Sequence, residues 1–121
     1  GPGVFIAAGA GITPFIPILE KHDAAGTLDC TLVFSNETEA DIILREKWEN
    51  MQGLKTIFTV TDEDADGLKK HRIDKAFLKQ NLSRFDQTFY ICGPEGFVDD
   101  VRSALKDLGA DADKIITEDG W

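Results

Sequence analysis

Long apolar runs are missing from this chain: none of its 121 residues sits in a stretch approaching the ~20 apolar positions that a membrane-spanning helix needs. Basic charge is scarce too. Thirteen Lys and Arg stand against 22 Asp and Glu, a net charge of -9. Such a surface repels phosphate backbones and argues against nucleic-acid binding. Cysteine is limited to Cys30 and Cys92, far apart and without metal-ligand spacing. Both lie in apolar runs, which fits reduced thiols in a cytoplasmic protein. The two histidines, His22 and His71, stand in polar segments with no i, i+4 partner, so no metal site is expected. The start, GPGVFIAAGAG, has no basic leader, so a signal peptide is not expected. The acceptor-like triplets at Asn36 and Asn81 then read as chance. No Ser/His/Asp arrangement for nucleophilic catalysis can be assembled.

Apolar residues make up 42% and charged residues 29%, the balance of one globular domain with one core. Along the chain the apolar period alternates between strand and helix. GVFIAAGA is a short buried strand, and TPFIPILEKHDAAG a helix ended by Gly26. DCTLVFSN, KTIFTVTDE, QTFYICGP and KIITED read as four more strands. EADIILREKWENMQG, DKAFLKQNL and EGFVDDVRSALKDLGA read as helices. In the last, Phe97, Val101, Leu105 and Leu108 form one buried stripe. Residues 64–72 read as a polar loop. Strands apolar throughout, alternating with helices, predict an α/β domain with a doubly wound five-stranded parallel sheet.

Ligands of such sheets bind beyond the carboxyl ends of the strands. That rule selects GAGITP, SNETE, TDEDADG and CGPEGF. In GAGITP, Gly9 and Gly11 allow a sharp turn and close backbone approach. Thr13 is placed to cap the following helix and Pro14 to occupy its first position. The helix N-terminus then suits a pyrophosphate; a ligand-free strand-to-helix turn fits the stretch equally well. CGPEGF makes a second tight turn on the same edge, with Cys92 projecting toward a ligand at Gly11 or serving only as a small buried side chain. TDEDADG starts like a calcium loop, with Asp62, Asp64, Asp66 and Gly67 at matching offsets. The twelfth position, which needs a glutamate, is Ile73, so a solvated acidic loop is expected.

GAGITPF, FSNETEADIILRE, VTDED and YICGPEGF, in this order, resemble the ferredoxin-NADP reductase superfamily. The resemblance is strongest to its NADH-using members, the cytochrome b-type reductases and the reductase components of bacterial oxygenases. That family carries G-x-G-x-x-P where other dinucleotide loops carry a third glycine, and the resemblance runs from Val4 to Trp121. It implies that residues 1–121 are the NAD(P)-binding domain of a two-domain protein whose flavin-binding barrel would lie upstream. Gly9, Ala10, Gly11, Ile12, Thr13 and Pro14 would hold the pyrophosphate and the nicotinamide side. Cys92, Gly93 and Pro94 would lie by the nicotinamide, and Glu95 and Phe97 of the same motif would join the cofactor-binding residues. Ser35, Asn36, Glu37 and Asp62 would meet the adenine-side ribose. Trp121 would stack near the flavin, which makes Cys92 and Trp121 the candidate catalytic residues. Ala8 stands where many members have glycine. The implied cofactors are NAD, with NADH preferred because Glu37 stands where NADPH users receive the 2′-phosphate, and FAD or FMN on the other domain. The implied partners are that flavin domain and an iron-sulfur or haem electron acceptor. A stand-alone dinucleotide-binding module and a diffusible-flavin reductase are the alternatives.

Overall fold

The computed structural model describes residues 3–26, 30–36, 45–51, 53–60, 69, 70, 73–82 and 85–117. Its strands are built from β-branched and aromatic residues that suit a pleated, buried surface. β1 is Gly3–Ala8, β2 Cys30–Asn36, β3 Leu54–Val60, β4 Lys69–Lys70, β5 Thr88–Cys92 and β6 Ile115–Thr117. Among the described residues four α-helices lie between them: α1 (Phe15–Ala25), α2 (Arg45–Asn50), α3 (Lys75–Asn81) and α4 (Glu95–Asp107). The strands form one six-stranded sheet in the order β4-β3-β2-β1-β5-β6, and every pairing is parallel. The doubly wound parallel sheet is therefore the one the sequence predicts, with the five expected strands and a sixth at one edge. The sixth, β4, falls in the segment expected to be a loop. Two lysines carry no apolar signal, and pairing with Thr59 and Val60 alone makes them a strand.

The sheet is covered on both faces because its strands alternate in the side chains they present. Phe5, Ala7, Leu32, Phe34, Phe58 and Cys92 face α1 and α2, where Phe15, Leu19, Trp48 and Met51 complete one cluster. Ile6, Val33, Phe89 and Ile91 face α3 and α4, where Phe77, Leu78, Val101 and Leu105 complete the other. Each large side chain fully removed from water contributes about 1.5–3 kcal/mol. The expected stripe on α4 is present: Val101 and Leu105 are buried, while Phe97 and Leu108 are partly buried against the same cluster.

Helix ends follow from local chemistry with one correction. Asp74, extended at φ -127° and ψ -175°, accepts a hydrogen bond from the Phe77 amide at 2.8 Å and caps α3. Gly26, at φ 70°, closes α1 and donates its N–H to the Asp23 and His22 carbonyls. Thr13 does not cap α1. The cap position belongs to Pro14, whose φ of -64° and ψ of -22° are already helical, with no side-chain capping bond. The chain enters α1 from a 3-10 turn over Gly9–Ile12, so no extended residue stands there to cap it. That turn also ends β1 at Ala8, two residues before the expected end at Ala10. Pro17 is tolerated because its missing N–H falls in the first turn, where amides have no intrahelical partner. Among the described residues no helix is long and apolar enough to cross a membrane.

Candidate functional site

From β1 the chain winds one way through β2, β3 and β4, then returns to place β5 on the other side of β1. The winding therefore reverses between β1 and β5, and open α/β sheets bind ligands beyond the carboxyl ends of their strands at such a reversal. The two turns singled out by sequence flank that point. Gly9–Ile12 follows β1, and Gly93–Pro94 follows β5. Register fixes their relative height: Ala7 pairs with Cys92 and Ala8 with Ser35. Ser35 pairs in turn with Thr59. Gly93, Ala8, Ser35 and Thr59 thus mark one row across the carboxyl ends of four strands.

Polarity is concentrated on this row. Ser35, Asn36 and Thr59 are the buried polar side chains among the described residues, at 8%, 6% and 0% exposure. Burying a polar group is costly unless something compensates it, so gathering all three at the ends of β2 and β3 marks the edge as different from the rest of the core. Ser35 and Asn36 were legible in the sequence as the end of a strand. Thr59 was not, because it sits inside an apolar run; only its register opposite Ser35 reveals it. Its hydroxyl has no hydrogen-bond partner among the described residues.

The Gly9 turn is shaped for close approach. Gly9 has φ 56°, a conformation that L side chains rarely adopt, and the space where its Cβ would lie is open. Thr13 is exposed and Pro14 half-buried at the start of α1. Ile12 is fully buried in the α1-side core, so only its backbone reaches the edge. The first turn of α1 carries no acidic residue, leaving the positive end of its dipole without a carboxylate of its own. The N-terminus of α4 differs: Glu95, exposed, stands in its first turn.

At the second turn Cys92 shares the sheet face of Ala7, Ile12 and Phe15, but only 3% of it is exposed. The structure brings Cys92 to the edge as a core side chain, and neither cysteine is in a disulfide. Pro94 is exposed and Gly93 and Phe97 are half-buried. Glu37, Asp62 and Trp121 lie outside the described residues, as do the acidic positions 62–67 and His71. Among the described residues no group of three His, Cys, Asp or Glu is placed to hold a metal ion. An open depression of about 470 Å³ lies at the opposite, amino end of the strands, lined by Gly3, Cys30, Thr31, Lys55 and Gln87. Gly53, in a turn at φ 85°, also lines it, but no helix residue does, and it lies away from the ligand edge of this sheet type.

This fold and this edge define a dinucleotide-binding type of α/β domain. Residues 5–103 match the family described as "Oxidoreductase NAD-binding domain", and the chain belongs to that family. It is 34% identical over 118 residues to one subunit of the 1,2-phenylacetyl-CoA epoxidase of Escherichia coli K12, covering 86% of this chain and 33% of that protein. It is 30% identical over 105 residues to NADH-cytochrome b5 reductase 2 of Danio rerio, covering 78% of this chain and 34% of the relative. Among solved structures, the FAD/NAD-binding domain of nitric oxide dioxygenase from Vibrio cholerae O1 superposes with a TM-score of 0.87 at 27% identity. That match covers 97% of this chain and 50% of the other. The chain spans about a third of the length of these two curated relatives.

Proposed function

We propose that this chain is the NADH-binding half of a flavoprotein reductase, presenting reduced nicotinamide to FAD or FMN held on a separate domain. The observation that carries the reading is the convergence of two tight turns and all three described buried polar side chains on one sheet edge, at the winding reversal. A flavin, when bound on its own domain, supplies the acceptor for the hydride and passes electrons singly to an iron-sulfur or haem partner. This chain's task is binding and orientation. The acid-free start of α1 and the Gly9 turn receive the pyrophosphate; Ser35 and Asn36 stand at the adenine-side ribose. The Cys92–Pro94 turn, backed by the core, holds the nicotinamide. Hydride transfer needs no protein acid or base, so the edge needs no titrating group. Cys92 acts by position, and Trp121 stacks near the flavin.

NADH is the proposed coenzyme. Glu37 and Asp62 follow β2 and β3 in sequence, and carboxylates there accept a hydrogen bond from a ribose 2′-OH but repel a 2′-phosphate. A unit charge pair at about 6 Å and an effective dielectric near 20 interacts by roughly 3 kcal/mol, and exposure reduces that to about 1–2 kcal/mol. Calorimetric titration at low and moderate salt is expected to show NADH binding about five- to thirtyfold tighter than NADPH. Equal affinities, or tighter NADPH, would refute the assignment of Glu37 and Asp62.

A further inference from the structure

We infer that Phe97 is a positioning residue, supporting the nicotinamide end of the site through the bare face of Gly93 without touching the nucleotide. The inference rests on the reading of this edge as an NADH site.

Gly93 does not have a positive φ, so it is not required for a left-handed backbone. It is required for room. A Cβ at Gly93 would stand 2.8 Å from Phe97 Cδ2 and 3.3 Å from Ala8 Cβ. Phe97 and Ala8 therefore occupy the space that any other residue at this position would fill. Sheet alternation explains which face this is. Cys92 points into the α1-side cluster, so Gly93, the next residue, turns its bare face toward the α3 and α4 side. Ala8 follows Ile6 on that same side of β1. The turn is thus held from both faces: by the Cys92 side chain within one core, and by Ala8 and the Phe97 ring on the other.

Phe97 is suited to this by its place on α4. It is the top residue of the stripe continued by Val101 and Leu105, both fully buried. The helix is fixed to the sheet through that stripe, and Phe97 carries its rigidity to the edge, where the ring meets the glycine. The motif residues left facing outward are Pro94, Glu95 and Gly96, all exposed. The sequence reading places Phe97 both among the cofactor-binding residues and in the buried stripe of α4; its ring lies against Gly93 and the α4-side cluster.

The test separates the nicotinamide end from the rest of the nucleotide. NADH and ADP-ribose, which lacks nicotinamide, are titrated calorimetrically into the wild-type chain and the Phe97→Leu, Gly93→Ala and Gly93→Ala/Phe97→Leu variants, with thermal unfolding followed in parallel. Phe97→Leu is expected to weaken NADH about three- to tenfold, the range an aromatic contact commands, and to leave ADP-ribose within about twofold. Gly93→Ala is expected to weaken NADH further, with part of the loss recovered in the double variant, where leucine yields the space that the new Cβ needs. Parallel loss of both ligands in Phe97→Leu, or no recovery in the double variant, overturns the positioning role while leaving the NADH site standing. A wild-type chain that binds neither ligand overturns the reading of the edge, and this inference with it.

Discussion

At the scale of single residues, the edge combines positions with opposite reasons for being what they are. Gly9 is glycine for its backbone, with φ 56° and open space around it. Gly93 is glycine for its neighbours, with Phe97 Cδ2 at 2.8 Å from where a Cβ would lie. Sequence shows both as glycines beside strands and cannot separate these causes, because φ and close approach are properties of the folded chain. Thr59 is the residue the sequence conceals: fully buried, with a hydroxyl that has no hydrogen-bond partner among the described residues. An unsatisfied buried hydroxyl costs about 1–3 kcal/mol. Thr59→Val keeps the shape and the β-branch and removes the orphan group. Urea unfolding is expected to show the variant more stable by about 1 kcal/mol. A loss of stability would show that the hydroxyl has a partner in solution and that the edge is organised around it.

At the scale of elements, the strands were the most legible part. β2 and β5 centre on short apolar runs, Leu32–Phe34 and Phe89–Cys92, and β3 on Ile57 and Phe58; their parallel pairing follows from burial on both faces. Helix ends were legible where a side chain sets them, as at Asp74, and illegible where the preceding backbone does, as at Thr13 and Pro14. β4 could not be read from Lys69 and Lys70, since its existence depends on pairing alone. α2 shows how a short element is held. Its described part, six residues, is below the length at which a helix is stable in isolation, and tertiary packing holds that part. Trp48 is fully buried and Met51, just beyond the helix, is 7% exposed, both in the cluster with Phe34 and Phe58. Trp48→Ala is expected to destabilise the domain by about 3–5 kcal/mol, read from chemical denaturation. A change below about 1 kcal/mol would mean that α2 is not anchored through this ring.

At the scale of the whole molecule, membership of the NAD-binding family and the reversal of winding between β1 and β5 point to the same end of the sheet. The four motifs in their order along the chain were enough to show the resemblance to the family, and parallel strands bring the carboxyl ends that precede them together. The sequence could not show which polar side chains are buried there, since burial depends on register between strands far apart in the chain. Among the described residues two places compete for a ligand on physical grounds: the carboxyl edge, and the depression of about 470 Å³ at the amino end. The most direct test is amide chemical-shift mapping of NADH on the 15N-labelled chain. The account predicts shifts gathered at Gly9–Phe15, Ser35, Asn36 and Cys92–Phe97, with Cys30, Thr31, Lys55 and Gln87 unmoved. Shifts gathered instead at the amino end, or no saturable shifts at all, would contradict it.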